Sequence, residues 1–240
     1  LGGSSEPGIV MVSVDTNGNG VPDDEWYELA GSEYYKKETL KNYEITYYRP
    51  DENKEPVTCS NPNITDSTYV RWTDNYGNTG YISQLTFHKQ PYYPQWISES
   101  SITFKGSRLA DNAIDESGNG SYYVLYAYDW GYADNHPNSS EKSNFKIDWA
   151  VDSEGNPVDL PGVDFIKIYT GVNQFNGWLG ECSTEVMGVS PEQSRCCKLH
   201  KKVPRILKAT DYDDWEGIGY RSKSEDLPCV LSEKLARYEL

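Results

Sequence analysis

Gly8-Ile9-Val10-Met11-Val12-Ser13-Val14, running directly into Asp15-Thr16-Asn17-Gly18-Asn19-Gly20-Val21-Pro22-Asp23-Asp24-Glu25, decides the fold class of this chain. The first seven residues are mostly apolar and rich in Val and Ile, and they read as a strand. Side-chain oxygens then recur at every second position, on Asp15, Asn17 and Asn19, up to a turn at Gly20. A hard cation asks for such a loop, because Ca2+ takes roughly six to eight oxygens from carboxylates, amides and backbone carbonyls. Counted from Asp15, Val21 offers its carbonyl at the place where a helix–loop–helix calcium motif uses one, and Asp23 and Asp24 close the loop. The twelfth place is Trp26 instead of that motif's bidentate Glu, and a strand precedes the loop where the motif has a helix. The expectation is therefore calcium held by Asp15, Asn17, Asn19, Val21, Asp23 and Asp24 within a β protein. The alternative is a polar Asn-Gly turn without metal, since these residues favour turns for backbone reasons alone.

Outward from this stretch, short strand candidates follow one another between turn signals, the spacing of a sandwich or barrel. They cover residues 42–49, where Tyr43, Ile45 and Tyr47 alternate, and residues 67–72, 80–87, 101–105, 121–129, 144–151 and 164–170. In Phe145-Lys146-Ile147-Asp148-Trp149-Ala150-Val151-Asp152 every second residue is apolar, which predicts a half-buried strand with Lys146, Asp148 and Asp152 on its wet face. Residues 121–129 are apolar on both faces and are expected to be central and buried on both. Asn75-Tyr76-Gly77-Asn78, Ser117-Gly118-Asn119-Gly120 and Ser153-Glu154-Gly155-Asn156-Pro157 mark turns. A weak helical pattern covers residues 34–40.

Composition agrees with β structure: of 240 residues, 20 are Tyr, 7 Trp and 5 Phe, punctuated by 20 Gly and 13 Pro. A net charge of -15 argues against a nucleic-acid partner, whose phosphates need a basic surface. It suits a protein in contact with water and divalent cations. No apolar run reaches the length of a membrane span. The chain opens without Met, so its leader is expected to be removed or missing, and strands upstream of Gly8 are expected to be absent from it. Residues 191–240 change character. They carry 10 Lys and Arg against 9 Asp and Glu, whereas residues 1–190 carry 12 against 28. Three of the five cysteines, Cys196, Cys197 and Cys229, fall there. The expected organisation is one jelly-roll-like antiparallel β-sandwich over residues 1–190. A short, poorly packed, partly helical or disordered extension follows over residues 191–240. The cysteine spacings fit no zinc ribbon. Cys59 and Cys182 are either a pair or two thiols, the second being the simpler reading.

Several long motifs are together similar to those of a family of cell-surface proteins and lipoproteins of Bacteroidetes. They are Gly3-Ser4-Ser5-Glu6-Pro7-Gly8-Ile9-Val10, the run from Asn17-Gly18-Asn19-Gly20 through Gly31-Ser32-Glu33, Tyr43-Glu44-Ile45-Thr46-Tyr47, and Asp129-Trp130-Gly131-Tyr132-Ala133-Asp134-Asn135-His136-Pro137. Residues 145–152 and 164–185 add to the likeness, which covers residues 1–190. It implies an exported β-sandwich at the outer-membrane surface, and some family members are associated with nutrient capture there, alongside other uptake proteins. Family members carry further strands ahead of the Gly-Ser-Ser-Glu-Pro segment, and residues 191–240 do not resemble theirs.

Function is read from the loops. Tyr92-Tyr93-Pro94-Gln95-Trp96 and Trp130-Gly131-Tyr132 place large rings with polar edges outside the strands, where they offer contact area to a sugar or flat organic ligand. Asp129, Asp134, Asn135 and His136 crowd polar groups beside them. The candidate ligand site is thus Tyr92, Tyr93, Trp96, Asp129, Trp130, Tyr132, Asp134, Asn135 and His136. The competing reading has the rings closing the ends of the core and the 129–136 segment forming a plain hydrogen-bonded loop. Carboxylates such as Asp129, Asp148, Glu181 and Glu185 are numerous enough for a glycosidase pair, but abundance in an acidic chain is no signal. No nucleophile elbow, His-Glu-x-x-His or phosphate loop is present. The expected function is a non-catalytic surface module that binds a glycan or small-molecule nutrient, or an adhesion module, with a structural calcium site. A glycan-active enzyme with paired carboxylates is the second reading and a purely structural module the third.

Overall fold

A computed structural model describes residues 3–177, 180, 182–191 and 206–210 of the chain. The fold is all-β, with antiparallel sheets packed against one another. The central sheet has the order β10-β2-β1-β11, from β1 (Gly8–Ser13), β2 (Trp26–Leu29), β10 (Ala150–Val151) and β11 (Phe165–Thr170). β1 is flanked on both sides by strands that follow it in sequence, β2 across the 14–25 loop and β11 from far downstream. That placement explains its near-continuous apolar run, because a strand covered on both faces has no wet side to keep polar.

The two faces of this sheet have different neighbours. Val10, Val12 and Leu29 point to one side and join Phe145, Ile147, Ala150 and Leu160 in the main core. Ile9 points to the other side and packs with Leu109 and Tyr132. On that second side lies a sheet of order β5-β4-β3-β6, built from β3 (Leu40–Tyr48), β4 (Ile64–Asp74), β5 (Thr79–Leu85) and β6 (Ser101–Arg108). The two sheets are pinned where Tyr169 of β11 meets the backbone of β6. Its hydroxyl accepts from Ser107 N–H at 2.7 Å. A Cβ at Gly106 would collide with that same hydroxyl, which is why β6 carries glycine at this point. A short hairpin of β7 (Ala113–Asp115) and β8 (Tyr123–Leu125) lies beyond it.

The alternation predicted for residues 145–152 is present in burial as far as Asp148, with Phe145 and Ile147 buried and Lys146 and Asp148 exposed, and it is lost beyond, where Ala150 and Val151 are both buried and Asp152 is half-buried. The backbone differs from one continuous strand. It breaks into β9 (Asn144–Lys146), a 3-10 turn at Ile147–Trp149, and β10. The break lets one stretch serve two sheets, with β9 pairing in one and β10 in another.

Three expectations are corrected. Residues 121–129 are not a central strand: only Tyr123–Leu125 is extended in a ladder, and Tyr122 and Tyr126 are 56% and 48% exposed. Their aromatic content reflects contacts with surface loops, which periodicity cannot tell from core. Residues 34–40 form successive turns, not a helix, held by Thr39 Oγ1 donating to Glu33 O at 2.8 Å. Finally, residues 206–210, inside the stretch read as an extension, form β13 (Ile206–Thr210). It pairs between β9 and β12 (Gly188–Pro191). The remaining expectations for residues 191–240, including the helical pattern and Cys196, Cys197 and Cys229, lie outside the described residues. Cys59 and Cys182 are not joined to each other by a disulfide. No helix among the described residues is long and apolar enough to cross a membrane.

Candidate functional site

The loop after β1 converges its polar side chains on one point. Asp15 is held at the loop's mouth, its N–H donating to Asp164 Oδ2 at 2.8 Å. Its carboxylate accepts from Asn19 N–H at 3.1 Å and Gly20 N–H at 2.9 Å. Asn17 Oδ1 accepts from Asn19 N–H, and Asn19 Oδ1 from Val21 N–H at 2.7 Å. The amides of Asn17 and Asn19 both donate to Asp23. Thr16 Oγ1 donates to Asp24 Oδ1, and Asp24 Oδ2 is buried without a partner. Val21 O accepts from Asp23 N–H at 2.9 Å. The five predicted side-chain ligands therefore surround one turn, which the positive φ of Gly18 and Gly20 permits. Among the described residues no cluster of three or more His, Cys, Asp and Glu is arranged to hold a metal. Fit to calcium rests on the orphaned Asp24 oxygen, since the amide oxygens of Asn17 and Asn19 already accept from backbone N–H groups.

A second loop repeats the turn. Asp115-Glu116-Ser117-Gly118-Asn119-Gly120 has the same spacing, with Gly120 N–H on Asp115 Oδ2 at 2.7 Å and Ser121 N–H on Asn119 Oδ1 at 3.1 Å. The Ser117 hydroxyl bonds hold the Asp115 carboxyl below its ordinary value. No acidic pair closes this second loop, since residues 123 and 124 are Tyr and Val where the first has Asp23 and Asp24. The shared geometry is thus the backbone's own, and the first loop differs from it by carboxylate content.

The 129–136 segment is a closure held by its own bonds. Asn135 is buried, its Oδ1 accepting from Tyr128 N–H at 2.8 Å and its amide donating to Tyr128 O at 3.0 Å. His136 Nε2 lies 2.7 Å from Tyr128 O. Asp134 takes a left-handed φ of 50° and accepts from Glu185 N–H at 2.9 Å. Asp129 is exposed and ion-paired with Lys142, which holds its carboxyl below the usual range. Tyr132 is core: it is 1% exposed, its hydroxyl accepts from Glu33 N–H at 3.1 Å, and burial pushes its pKa far upward. Trp130 packs on Trp149 with ring centres 4.4 Å apart.

Tyr92 and Tyr93 lie elsewhere, against the second sheet. The Tyr92 hydroxyl accepts from Leu85 N–H and donates to His88 O, both at 3.0 Å. Tyr93 donates to Glu99 O at 2.9 Å beneath the Arg49 guanidinium. Trp96 is 56% exposed. Tyr92 and Tyr93 line a cavity of about 910 Å3 that sequence reasoning did not find, because its other walls come from distant strands. Tyr43, Ile45, Tyr47 and Phe104 form one wall, from the apolar face of β3 and β6, and residues 166–174 of β11 and beyond form the opposite one. Burial pushes the Tyr47 hydroxyl up to about 12, so it stays protonated and able to donate. Arg108 lies here too, donating from Nη2 to Asp111 Oδ1 and Asn173 O, each at 3.2 Å.

Between the two sheets sits Glu28, reaching from β2 to β6. It is buried, accepts from Ser107 Oγ at 2.6 Å through Oε2, and has no partner for Oε1. Burial raises its pKa to about 7, against the opposing pull of Ser107 and Lys41. The only sequence signal for it was its position in the run after the loop. No family model matches the chain, and no curated protein matches it either.

Proposed function

We propose that this chain is a non-catalytic ligand-binding module displayed at a cell surface, and that its ligand site is the cavity between the two sheets. The observation that carries this reading is the cavity itself, about 910 Å3 and walled by Tyr43, Tyr47, Tyr92, Tyr93, Phe104 and Tyr169. Pockets for small organic ligands and short glycans are of this size, mostly apolar, with a few fixed polar groups. Tyrosines supply both an apolar ring and a hydroxyl in one rigid side chain. The surface location and the nutrient class rest on the sequence resemblance alone. In the 129–136 loop Asp134, Asn135 and His136 are already committed to backbone groups and Asp129 is ion-paired with Lys142, which favours the cavity over it as the binding site.

The calcium reading belongs to the same proposal: the ion occupies the 15–24 loop and orders the connection between β1 and β2. The test of the ligand site is a chemical-shift titration of the full chain against a panel of oligosaccharides. Saturable shifts at Tyr47 and Phe104, lost in Tyr47→Ala and kept in Trp96→Ala, are the expected result. Saturable shifts confined to Trp130 and His136 would move the site to the loop and overturn the assignment.

A further inference from the structure

We infer that Asn17 is a site of spontaneous covalent modification: attack by the Gly18 nitrogen on its side-chain amide releases ammonia and leaves aspartate or isoaspartate in the loop between β1 and β2. The inference goes beyond the ligand-site and calcium readings and needs neither. Four Asn-Gly pairs occur in the chain, Asn17-Gly18, Asn19-Gly20, Asn119-Gly120 and Asn176-Gly177. Glycine after asparagine has no Cβ to hinder its own nitrogen from reaching the amide carbon, so the sequence alone makes all four candidates. The structure separates them.

Asn176 is 7% exposed, and a Cβ at Gly177 would lie 2.8 Å from Cδ2 of Tyr123, so the backbone there is wedged in place. The other three asparagines are exposed and share one side-chain geometry. Each Oδ1 accepts from the backbone N–H two residues on: Asn17 from Asn19 at 2.9 Å, Asn19 from Val21 at 2.7 Å and Asn119 from Ser121 at 3.1 Å. That donor polarises the amide carbon and steadies the charge that develops on Oδ1 during attack. The difference lies in the attacking nitrogen. Gly20 N–H donates to Asp15 Oδ2 at 2.9 Å and Gly120 N–H to Asp115 Oδ2 at 2.7 Å. A nitrogen that must first shed its proton is hard to ionise against a carboxylate, because the change sets negative charge beside negative charge. The Gly18 N–H has no acceptor among the described residues.

Water is the one co-reactant. The Gly18 nitrogen loses its proton to solvent base and bonds to Asn17 Cγ, the Cγ–Nδ2 bond breaks, and Nδ2 takes up a proton and departs as ammonia. Water then opens the cyclic imide at either carbonyl, giving the side-chain acid or a backbone rerouted through Cγ. Before the reaction Asn17 Nδ2 donates to Asp23 Oδ1 at 3.2 Å. The ionised product cannot donate, so an attraction becomes a repulsion between anions, in a loop that already holds Asp15, Asp23 and Asp24. Ageing of the chain thus loosens, irreversibly, the turn that joins β1 to β2.

The test incubates the full chain in mildly alkaline buffer, folded and in urea, with chelator present throughout so that the outcome is independent of the calcium reading. Fragmentation mass spectrometry follows each Asn-Gly pair through the small mass gain of amide-to-acid conversion. In the folded chain Asn17 should convert about tenfold faster than Asn19 and Asn119, whose glycine N–H must first leave a carboxylate. In urea the pairs should converge, since the dipeptide is the same in each. Asp115→Asn keeps the turn but removes the charge beside Gly120, and it should speed Asn119 about tenfold while leaving Asn17 unchanged. The comparison of Asn17 with Asn19 uses the unmodified chain and does not depend on that variant folding. Asn19 or Asn119 converting as fast as Asn17 in the folded chain overturns the inference. So does a lead of Asn17 that persists in urea, which would place its cause in the local sequence. An Asn119 rate indifferent to Asp115→Asn overturns the role given to the glycine N–H.

Discussion

Replacing Glu28 by Gln should change how stability depends on pH more than any other single substitution. Glu28 is held between two sheets, 8% exposed, with one oxygen on Ser107 and the other unpartnered. Burial raises its pKa from 4.5 to about 7. Below 4.5 the carboxyl is protonated in both folded and unfolded chains, and its native setting is at full strength. Between 4.5 and about 7 the unfolded chain releases its proton while the folded chain keeps it, so stability falls as pH rises. Above about 7 both are ionised, and the loss has reached roughly 3 kcal/mol. Gln keeps the size of the side chain and an acceptor for Ser107, without the charge. The Glu28→Gln variant should therefore match wild type near pH 4.5 and exceed it at pH 8 by up to roughly 3 kcal/mol. Urea unfolding at pH 4.5, 6, 7 and 8 measures both, and the difference between the two curves isolates Glu28 from the other carboxyls. Ser107→Ala removes a bond that favours the ionised form, so it should steepen the wild-type slope. Parallel curves for wild type and Glu28→Gln would refute the reasoning.

The remaining expectations concern the loop, the core and the third sheet. Calcium at about 100 times its dissociation constant should stabilise the chain by roughly 2.7 kcal/mol; thermal unfolding with and without chelator reads it. Asp15→Ala should abolish the shift and Asp115→Ala should not, whereas a midpoint indifferent to chelator would leave the 15–24 stretch a polar turn. Phe145→Ala, at a fully buried position, should cost about 3–5 kcal/mol in chemical denaturation, whereas Trp96→Ala, half exposed, should stay within about 0.5 kcal/mol. Truncation after residue 191 removes β13 from between β9 and β12. It should lower the unfolding midpoint and speed amide exchange at Asn144 and Lys146; an unchanged midpoint would make β13 dispensable.

What the sequence by itself determined were the features set by neighbours along the chain. β1, β3, β4, β5, β6 and β11 were legible because alternating or continuous apolar runs of five or more residues carry their own periodicity, and the 15–24 turn because its oxygens lie at fixed local spacing. β2, β7, β12 and β13 were missed, being three to five residues long and defined by their partners. The 121–129 run was misread because exposed tyrosines on loops have the same composition as a buried strand. The tertiary structure alone decided the cavity, since Tyr47 and Phe104 are brought together by β3 pairing with β6, and Tyr169 is placed beside them by β11 pairing with β1, both between segments far apart in sequence. It alone made Glu28 a buried carboxyl, by placing β2 opposite Ser107. Such properties depend on which strand edges face each other, and local periodicity carries no information about strands paired at long range.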